Sequence, residues 1–301
     1  MLMSKKELLR EARIRGYQPE MFEKMKWIFM LLRQMMSVPN LKNHLVLKGG
    51  TALNLFYLNP APRLAVDIDL NYLGAEHSSV TAAISQIFLH NQLERDQSVW
   101  RYLSVLEPDK VNLEVNLQFM NRQPLWPCIP RTPALAFDKS LMVSVLDIHE
   151  LAAGQFCALF HRKHIRDLFD AHTLLTQCHL DRRKLRLAFV IYLAAASIEL
   201  SSLQPANMNY DMIDLRKHLI PLLAHPTYPR SAKLLRTWAD QWIKELRLGL
   251  SMLLPLTPQE TDFIHQLKNN KRILPELITK DELLKQKIVT HPAIASVIDG
   301  E

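Results

Sequence analysis

The chain has 301 residues, of which 48% are hydrophobic and 22% charged, a balance typical of a globular protein rather than a disordered one. Lysine and arginine outnumber aspartate and glutamate by 37 to 30, and the resulting charge of +7 favours anionic partners such as nucleotides, nucleic acid or acidic membranes. Three cysteines are too few for a disulfide framework or a zinc site and indicate a reducing compartment.

The sequence has no pattern typical of a targeting or membrane-spanning segment. The basic residues near the start are not followed by an apolar signal core. The longest apolar candidate, residues 187–198, is shorter than the ~18 residues that a membrane span needs. We therefore expect a cytoplasmic protein with no membrane partner.

The first half of the chain has the pattern of an α/β domain. Apolar residues at helical spacing predict two helices between residues 5 and 36, with Met25, Trp27 and Met35 in the buried stripe. The next predicted elements are a strand at 45–47 that ends at a glycine pair, a helix at 51–57, a strand at 64–72, a helix at 78–93, and a β-hairpin of strands 99–106 and 111–119 joined by a turn at 107–110.

Beyond about residue 145 the pattern is helical nearly throughout, after an irregular proline-rich connection at 122–133. The predicted helices are 147–160, 165–177, 183–199, 210–223, 230–248, 258–268 and 279–288. We therefore predict an α+β fold, with a sheet domain at 1–145 followed by a C-terminal α-helical bundle domain at 146–301.

A glycine pair, Gly49 and Gly50, separates the first strand from the helix that begins near Thr51. Glycine lets the backbone approach a ligand closely, and the N–H groups at the start of a helix suit a phosphate. A plain turn is the alternative, because the spacing matches neither a Walker loop nor a dinucleotide-binding fingerprint.

Two aspartates follow on the second predicted strand. Asp67 and Asp69 flank Ile68, so the two carboxylates share one face of the strand. Mg²⁺ relieves the repulsion between such charges, because it binds one or two carboxylates together with substrate phosphates. Glu114, on the polar side of the hairpin strand, is the candidate third carboxylate of a two-metal site. The alternatives are a solvated strand face for the aspartates and a rim residue paired with lysine for Glu114.

Four motifs occur in a fixed order: K-G-G-T-A-L, R-x-x-x-D-I-D-L, the hairpin strand L-E-V-N-L, and H-E-L-A-A-G-Q-F-C-A-L-F-H-R-K-H-I-R-D-L-F-D. Their joint pattern, over about residues 40–180, resembles the AbiEii (MenT-like) toxin family, nucleotidyltransferases of the polymerase-β-like superfamily. The resemblance implies a small mixed sheet that carries the metal carboxylates, helices that flank it, and a helical C-terminal domain. It further implies Mg²⁺-dependent transfer of NMP from an NTP to RNA, in characterised members the 3′ end of tRNA, and a genetically linked antitoxin.

The resemblance assigns roles to individual residues. It implies metal binding and catalysis by Asp67, Asp69 and Glu114, with Glu114 as the base. The positions that it implies for nucleotide binding are Lys48, Gly49, Gly50 and Thr51 in the first half, and Gln155, Arg162, Arg166, Asp167 and Asp170 in the second half. Of these, Gln155 ends the counterpart of the helix motif E-L-x-A-x-K, and the last two aspartates belong to the motif R-D-x-x-D.

Two positions depart from the family pattern. Gln155 replaces a lysine that neutralises the triphosphate, and Ala65 replaces a serine two residues before the first aspartate. Loss of the lysine removes a charge on which phosphoryl transfer relies, for which Arg162 and Lys48 are candidate substitutes. Two other hypotheses therefore remain open: a non-catalytic relative that binds NTP or RNA, and a purely structural scaffold.

Basic residues are concentrated between 160 and 186, where seven lysines and arginines face three aspartates. They are Arg162, Lys163, Arg166, Arg182, Arg183, Lys184 and Arg186. This excess predicts contacts with a tRNA backbone, and solvated helix ends are the alternative.

Gly154 lies inside a predicted helix, where glycine costs ~1 kcal/mol relative to alanine. It indicates close approach of a ligand or neighbouring domain, with plain helix packing as the alternative.

Overall fold

A computed structural model describes residues 5–74, 77–89, 93–96, 99–103, 111–118, 123–134 and 140–299 of the chain. Over these residues the fold is α+β, as predicted: a mixed sheet with flanking helices precedes a region that is almost entirely helical. Every helix in the described residues is too short or too polar to cross a membrane.

Seven strands form one sheet within the described residues. The strands are β1 Leu45–Lys48, β2 Asp67–Tyr72, β3 Leu93–Asp96, β4 Val99–Leu103, β5 Val111–Gln118, β6 Ile129–Arg131 and β7 Val143–Val145. Their order across the sheet is β3-β4-β5-β2-β1-β7-β6. The pairs β1–β7 and β2–β5 are parallel and the other pairs are antiparallel, so β2 lies between β1 and β5.

The helices before the last strand are α1 Lys5–Ile14, α2 Pro19–Ser37, α3 Pro39–His44, α4 Gly49–Ala52 and α5 His77–Leu89. Those after it are α6 Ile148–Arg162, α7 Ile165–Gln177, α8 Arg182–Ala195, α9 Met212–Asp214, α10 Ala232–Gly249, α11 Pro258–Asn270, α12 Glu282–Val289 and α13 Pro292–Asp299. Helices α4 and α9 continue as π-helical turns, Leu53–Tyr57 and Leu215–Leu219. Short 3₁₀ turns occupy Leu200–Ser202, Pro205–Asn207, Ile220–Leu222, Leu250–Met252 and Pro275–Leu277.

Most of the periodic elements form where the sequence predicts them. The stripe that contains Met25, Trp27 and Met35 is buried on α2, and Ile68 and Leu70 are fully buried on β2. Strands β4 and β5 pair antiparallel, as predicted, and the predicted turn at 107–110 lies outside the described residues. Three predictions about ordinary packing positions are therefore confirmed: the helix stripe, the aspartate strand and the hairpin pairing.

Several short elements differ from the prediction. Residue 93, the predicted end of a helix, is instead the first residue of β3, and β6 lies in the connection that was predicted to be irregular. These strands have three or four residues, too few for a periodic signal, and they depend on pairing with β4 and β7. The predicted start of the second strand is also wrong, because the N–H of Leu64 donates to the carbonyl of Leu222 at 2.9 Å.

The chain contains two compact units, and neither is continuous in sequence. One comprises Met1–Phe119, Cys128–Leu146 and Ile213–Leu235; the other comprises Met120–Pro127, Asp147–Met212 and Arg236–Glu301. The prediction that 210–223 joins the helical bundle is therefore wrong for most of that segment. The segment belongs to the first unit because its backbone bonds to that unit. Besides the bond from Leu64 to Leu222, the N–H of His225 donates to the carbonyl of Gly16 at 2.8 Å.

The cysteines are free thiols in different environments. Cys157 is buried, as predicted, and burial raises the pKa of its thiol to about 12. Cys128 and Cys178 are partly exposed, so the prediction of buried thiols is wrong for these two.

Candidate active site

The predicted carboxylates lie on one face of the sheet. Asp67 and Asp69 alternate with buried Ile68 along β2 and are both partly exposed. Strand β5 runs parallel to β2, with Glu114 opposite Asp67 and Asn116 opposite Asp69. Since paired residues of neighbouring strands point to the same face, the sheet brings all three predicted acidic residues to one surface.

The glycine turn lies directly against this surface. Strand β1 ends at Lys48, whose pairing partner on β2 is Asp69. Gly49 has a φ of +67°, and a Cβ at this position would collide with Oδ2 of Asp69 and lie 3.2 Å from its Cβ. Only glycine combines this left-handed backbone with such a close approach. Gly50, the next residue, is in the first turn of α4, and its carbonyl accepts a hydrogen bond from Nδ2 of Asn54 at 2.9 Å.

Thr51 connects the turn to the aspartate strand. Its hydroxyl donates to the backbone carbonyl of Asp67 at 2.5 Å, and its side chain is fully buried. The hydroxyl thus holds α4 against β2. Ala65, which departs from the family pattern, is also buried, with 1% of its surface exposed.

Lys48 and Asp69 belong to a polar network across three strands. Nδ2 of Asn116 donates to Oδ1 of Asp69 at 3.1 Å, and the ammonium of Lys48 donates to Oε1 of Gln118. Burial lowers the pKa of Lys48 to about 8, and the charge of Asp69 opposes that shift. The network holds Asp69 in place from the β5 side. Asn116 and Gln118 are visible in the sequence as polar positions of a strand, but their contacts depend on the pairing of β5 with β2.

The two aspartates of this surface offer oxygen donors, which suit a hard cation such as Mg²⁺. Among the described residues, no group of three or more His, Cys, Asp or Glu side chains is arranged to hold a metal ion. Two carboxylates on one strand face are nevertheless what Mg²⁺ uses when substrate phosphates and water complete its shell. Asp67 and Asp69 therefore fit a magnesium ion that arrives with a nucleotide, but not a permanently bound ion in a protein cage.

The predicted residues of the second half form a cluster of their own within the second unit. Nε2 of Gln155 on α6 donates to Oδ2 of Asp170 on α7 at 3.4 Å, and both residues are buried. Arg162 binds Asp167 through two hydrogen bonds, of 2.9 and 3.3 Å. Burial raises the pKa of Asp167, and the Arg162 guanidinium opposes the shift. Arg162 is therefore already paired with a carboxylate.

Glu150, at the start of the same helix motif, is a fully buried acid. Its carboxylate accepts hydrogen bonds from the N–H of Trp126 at 3.1 Å and from the hydroxyl of Tyr192 at 3.2 Å. Burial raises its pKa to about 7, although these hydrogen bonds and one from the N–H of Leu125 oppose the shift. Gly154, one turn further, packs against Tyr192, where a Cβ would lie at an ordinary 3.8 Å. An alanine would therefore fit, and the contacts of the described residues do not require glycine at this position.

Several of the clustered basic residues have structural partners. Arg186 binds Glu260 and the carbonyls of Met252, Leu253 and Pro255, so the prediction that it contacts RNA is replaced by a role in packing. The ammonium of Lys184 lies 5.6 Å from the centre of the Trp126 ring. Lys163 and Arg183 are exposed. Only part of the predicted basic surface is thus available to phosphates.

The family was identified by comparison with known proteins. The model of the family described as "Nucleotidyl transferase AbiEii toxin, Type IV TA system" matches residues 30–247, most of the chain. The chain belongs to the AbiEii nucleotidyltransferase toxin family. The resemblance found in the sequence is therefore confirmed, and membership of a type IV toxin–antitoxin family implies an antitoxin partner.

A solved structure has the same fold as this AbiEii-family chain. It is similar to MenT4, a nucleotidyltransferase toxin from Mycobacterium tuberculosis H37Rv, at 16% identity and a TM-score of 0.64, over 98% of this chain and 99% of MenT4. It is more weakly similar to JHP933 from Helicobacter pylori, at 16% identity and a TM-score of 0.44, over 85% of this chain and 100% of JHP933. A search of curated proteins gave no match.

Proposed function

We propose that this AbiEii-family toxin is an active, Mg²⁺-dependent nucleotidyltransferase that transfers an NMP from an NTP to the 3′ end of an RNA, with tRNA as the acceptor. The observation that carries the proposal is the surface shared by β1, β2 and β5. It combines two carboxylates on one strand face with a left-handed glycine turn directly beside them.

Each part of this surface supports a step of the reaction. The N–H groups at the start of α4, at Gly50 and Thr51, are suited to the triphosphate. Asp67 and Asp69 would hold Mg²⁺, which when bound neutralises phosphate charge and favours ionisation of the attacking hydroxyl. Glu114 accepts the proton of the RNA 3′ hydroxyl while the oxygen of that hydroxyl bonds to the α-phosphorus. The bond from that phosphorus to the pyrophosphate then breaks.

Replacing each aspartate by asparagine tests the proposal. Asp67→Asn and Asp69→Asn keep the size of the side chain but remove the charge, so we expect transfer of radiolabelled NMP to tRNA to fall at least about a hundredfold. Asp262→Asn on α11, where the aspartate accepts a hydrogen bond from Gln266 of its own helix, is the matched control. Undiminished labelling by either active-site variant, with melting temperatures unchanged, would show that the aspartates do not bind the metal.

A non-catalytic relative that binds NTP or RNA is the second candidate. Position 155 favours this candidate, because a neutral glutamine replaces the lysine of the family there. The amide of Gln155 donates to Asp170. Calorimetry separates the two candidates. NTP binding that requires Mg²⁺, without product on any RNA from a total cellular extract, would support the non-catalytic candidate. A labelled RNA would support the transferase.

A further inference from the structure

The carboxylate face also carries a buried polar side chain, that of Asn71. Asn71 follows Asp67 and Asp69 at the same two-residue spacing on β2, so its side chain belongs to the same face. It is 99% buried, and among the described residues neither its Nδ2 nor its Oδ1 has a hydrogen-bond partner. Buried amides are normally bonded, because an unmet donor and acceptor destabilise the fold. Asn71 therefore calls for an explanation other than folding stability.

The surroundings of Asn71 suggest how a ligand reaches it. Asn71 pairs with Gln118 on β5, and Asp69 pairs with Lys48 on β1. Because β2 lies between β1 and β5, the hydrogen bond from Lys48 to Gln118 passes across β2, over the face that carries Asp69 and Asn71. This bond, which we call the clasp, joins an ammonium to a neutral amide on an exposed residue.

A nucleotide at this face changes the balance of the clasp. An ammonium bonds more strongly to a phosphate than to a neutral amide, so a bound triphosphate draws Lys48 away from Gln118. Lys48 pairs with Asp69 and Gln118 pairs with Asn71, so opening of the clasp clears the part of the face between these two positions. In a nucleotide the sugar is attached directly to the α-phosphate, the group that lies at the aspartates in the proposed reaction. A sugar hydroxyl both donates and accepts, which matches the two unmet atoms of the amide.

We propose that Asn71 is a nucleotide-binding residue, whose amide hydrogen-bonds a sugar hydroxyl of the NTP once the clasp between Lys48 and Gln118 opens. The inference rests on the proposed function, since it uses the same face. A base edge offers the same hydrogen-bonding chemistry, and the choice of nucleotides below distinguishes the two sources.

The Asn71→Leu variant separates a binding role from a structural one. Without nucleotide we expect its melting temperature to equal or exceed that of the wild type, because leucine removes an unmet polar group. In calorimetric titrations with the Mg²⁺ complexes of ATP, CTP, GTP and UTP we expect the dissociation constant of the preferred nucleotide to rise about tenfold. Gln34→Leu is the control, because Oε1 of Gln34 on α2 is likewise buried with no hydrogen-bond partner among the residues that the structure describes. Its nucleotide affinity should match that of the wild type.

A second measurement varies the nucleotide. We expect the wild-type protein to bind the 2′-deoxy or the 3′-deoxy form of its preferred nucleotide about tenfold more weakly, and Asn71→Leu to lose that difference. If the variant instead loses a preference among the four bases, the amide bonds a base edge and the sugar assignment is wrong.

Wild-type affinity in Asn71→Leu, or equal wild-type affinity for the ribo- and both deoxynucleotides without any base preference, would overturn the inference. The proposed function would survive either result. Absence of NTP binding by the wild-type protein would instead refute the proposed function itself.

Discussion

At Gly49 the backbone has a φ of +67° and lies against the side chain of Asp69. We predict that Gly49→Ala lowers the free energy of unfolding by about 1–3 kcal/mol, because alanine is strained in this conformation and its Cβ displaces the carboxylate. We expect the rate of NMP transfer by Gly49→Ala to fall as well. Gly154→Ala is the control: that site is helical and a Cβ there makes only an ordinary contact with Tyr192 at 3.8 Å, so the variant should gain about 1 kcal/mol in urea unfolding. A Gly49→Ala protein with wild-type stability and activity would contradict the strain argument.

Single residues also show what the sequence could not reveal. The shared face of Asp67 and Asp69 follows from the two-residue period of a strand, which is a local property. Contacts such as that of Lys48 with Gln118 join positions seventy residues apart, and they depend on which strands become neighbours. The sequence also could not predict that the Asn71 amide lacks hydrogen-bond partners among the described residues, because this depends on which side chains surround it in the fold.

At the scale of elements, Glu150 joins α6 to the segment that contains Trp126 and to Tyr192 of α8. Burial raises its pKa from the usual 4.5 to about 7. A raised carboxyl pKa stabilises the folded state fully below pH 4.5, and this contribution is lost as the pH rises to about 7. We predict that the wild type loses up to about 3 kcal/mol of unfolding free energy over this window relative to Glu150→Gln.

Urea unfolding of both proteins at pH 4.5, 6 and 8 measures this difference directly. Glu199→Gln, on the exterior of the same unit, should keep the wild-type pH profile. Parallel profiles for the wild type and Glu150→Gln would show that the carboxyl of Glu150 ionises at its ordinary pH.

Element length decided which parts of the fold were predictable. Long amphipathic helices such as α2 and α10 repeat their apolar pattern over several turns, so the sequence indicates them well. Strands β6 and β7 have three residues each and exist through pairing with their neighbours. The location of 213–235 was missed for a similar reason, since backbone hydrogen bonds from Leu64 and to Gly16 leave no signature in side-chain pattern.

For the whole molecule, the net charge of +7 is the property that bears on RNA. Lys163 and Arg183 are exposed, whereas Arg186 is engaged with Glu260. We predict that Lys163→Asn and Arg183→Gln each lower the slope of log affinity for tRNA against log salt concentration by about one, since each removes one phosphate contact. Asparagine suits position 163 because its φ is 55°.

Filter binding at several salt concentrations measures these slopes. Arg186→Gln should act differently: it loses stability because buried carbonyls and Glu260 lose their partner, with no change in salt slope. If Arg183→Gln and Lys163→Asn leave the slope unaltered, tRNA binds elsewhere on the protein.

The interleaving of the two compact units has a consequence for how the toxin is made. The first unit includes residues as late as Leu235, whose segment supplies backbone partners to Leu64 and Gly16. During translation that unit remains incomplete until more than three quarters of the polypeptide has left the ribosome exit tunnel. A nascent chain released early therefore lacks part of the unit that bears the aspartates.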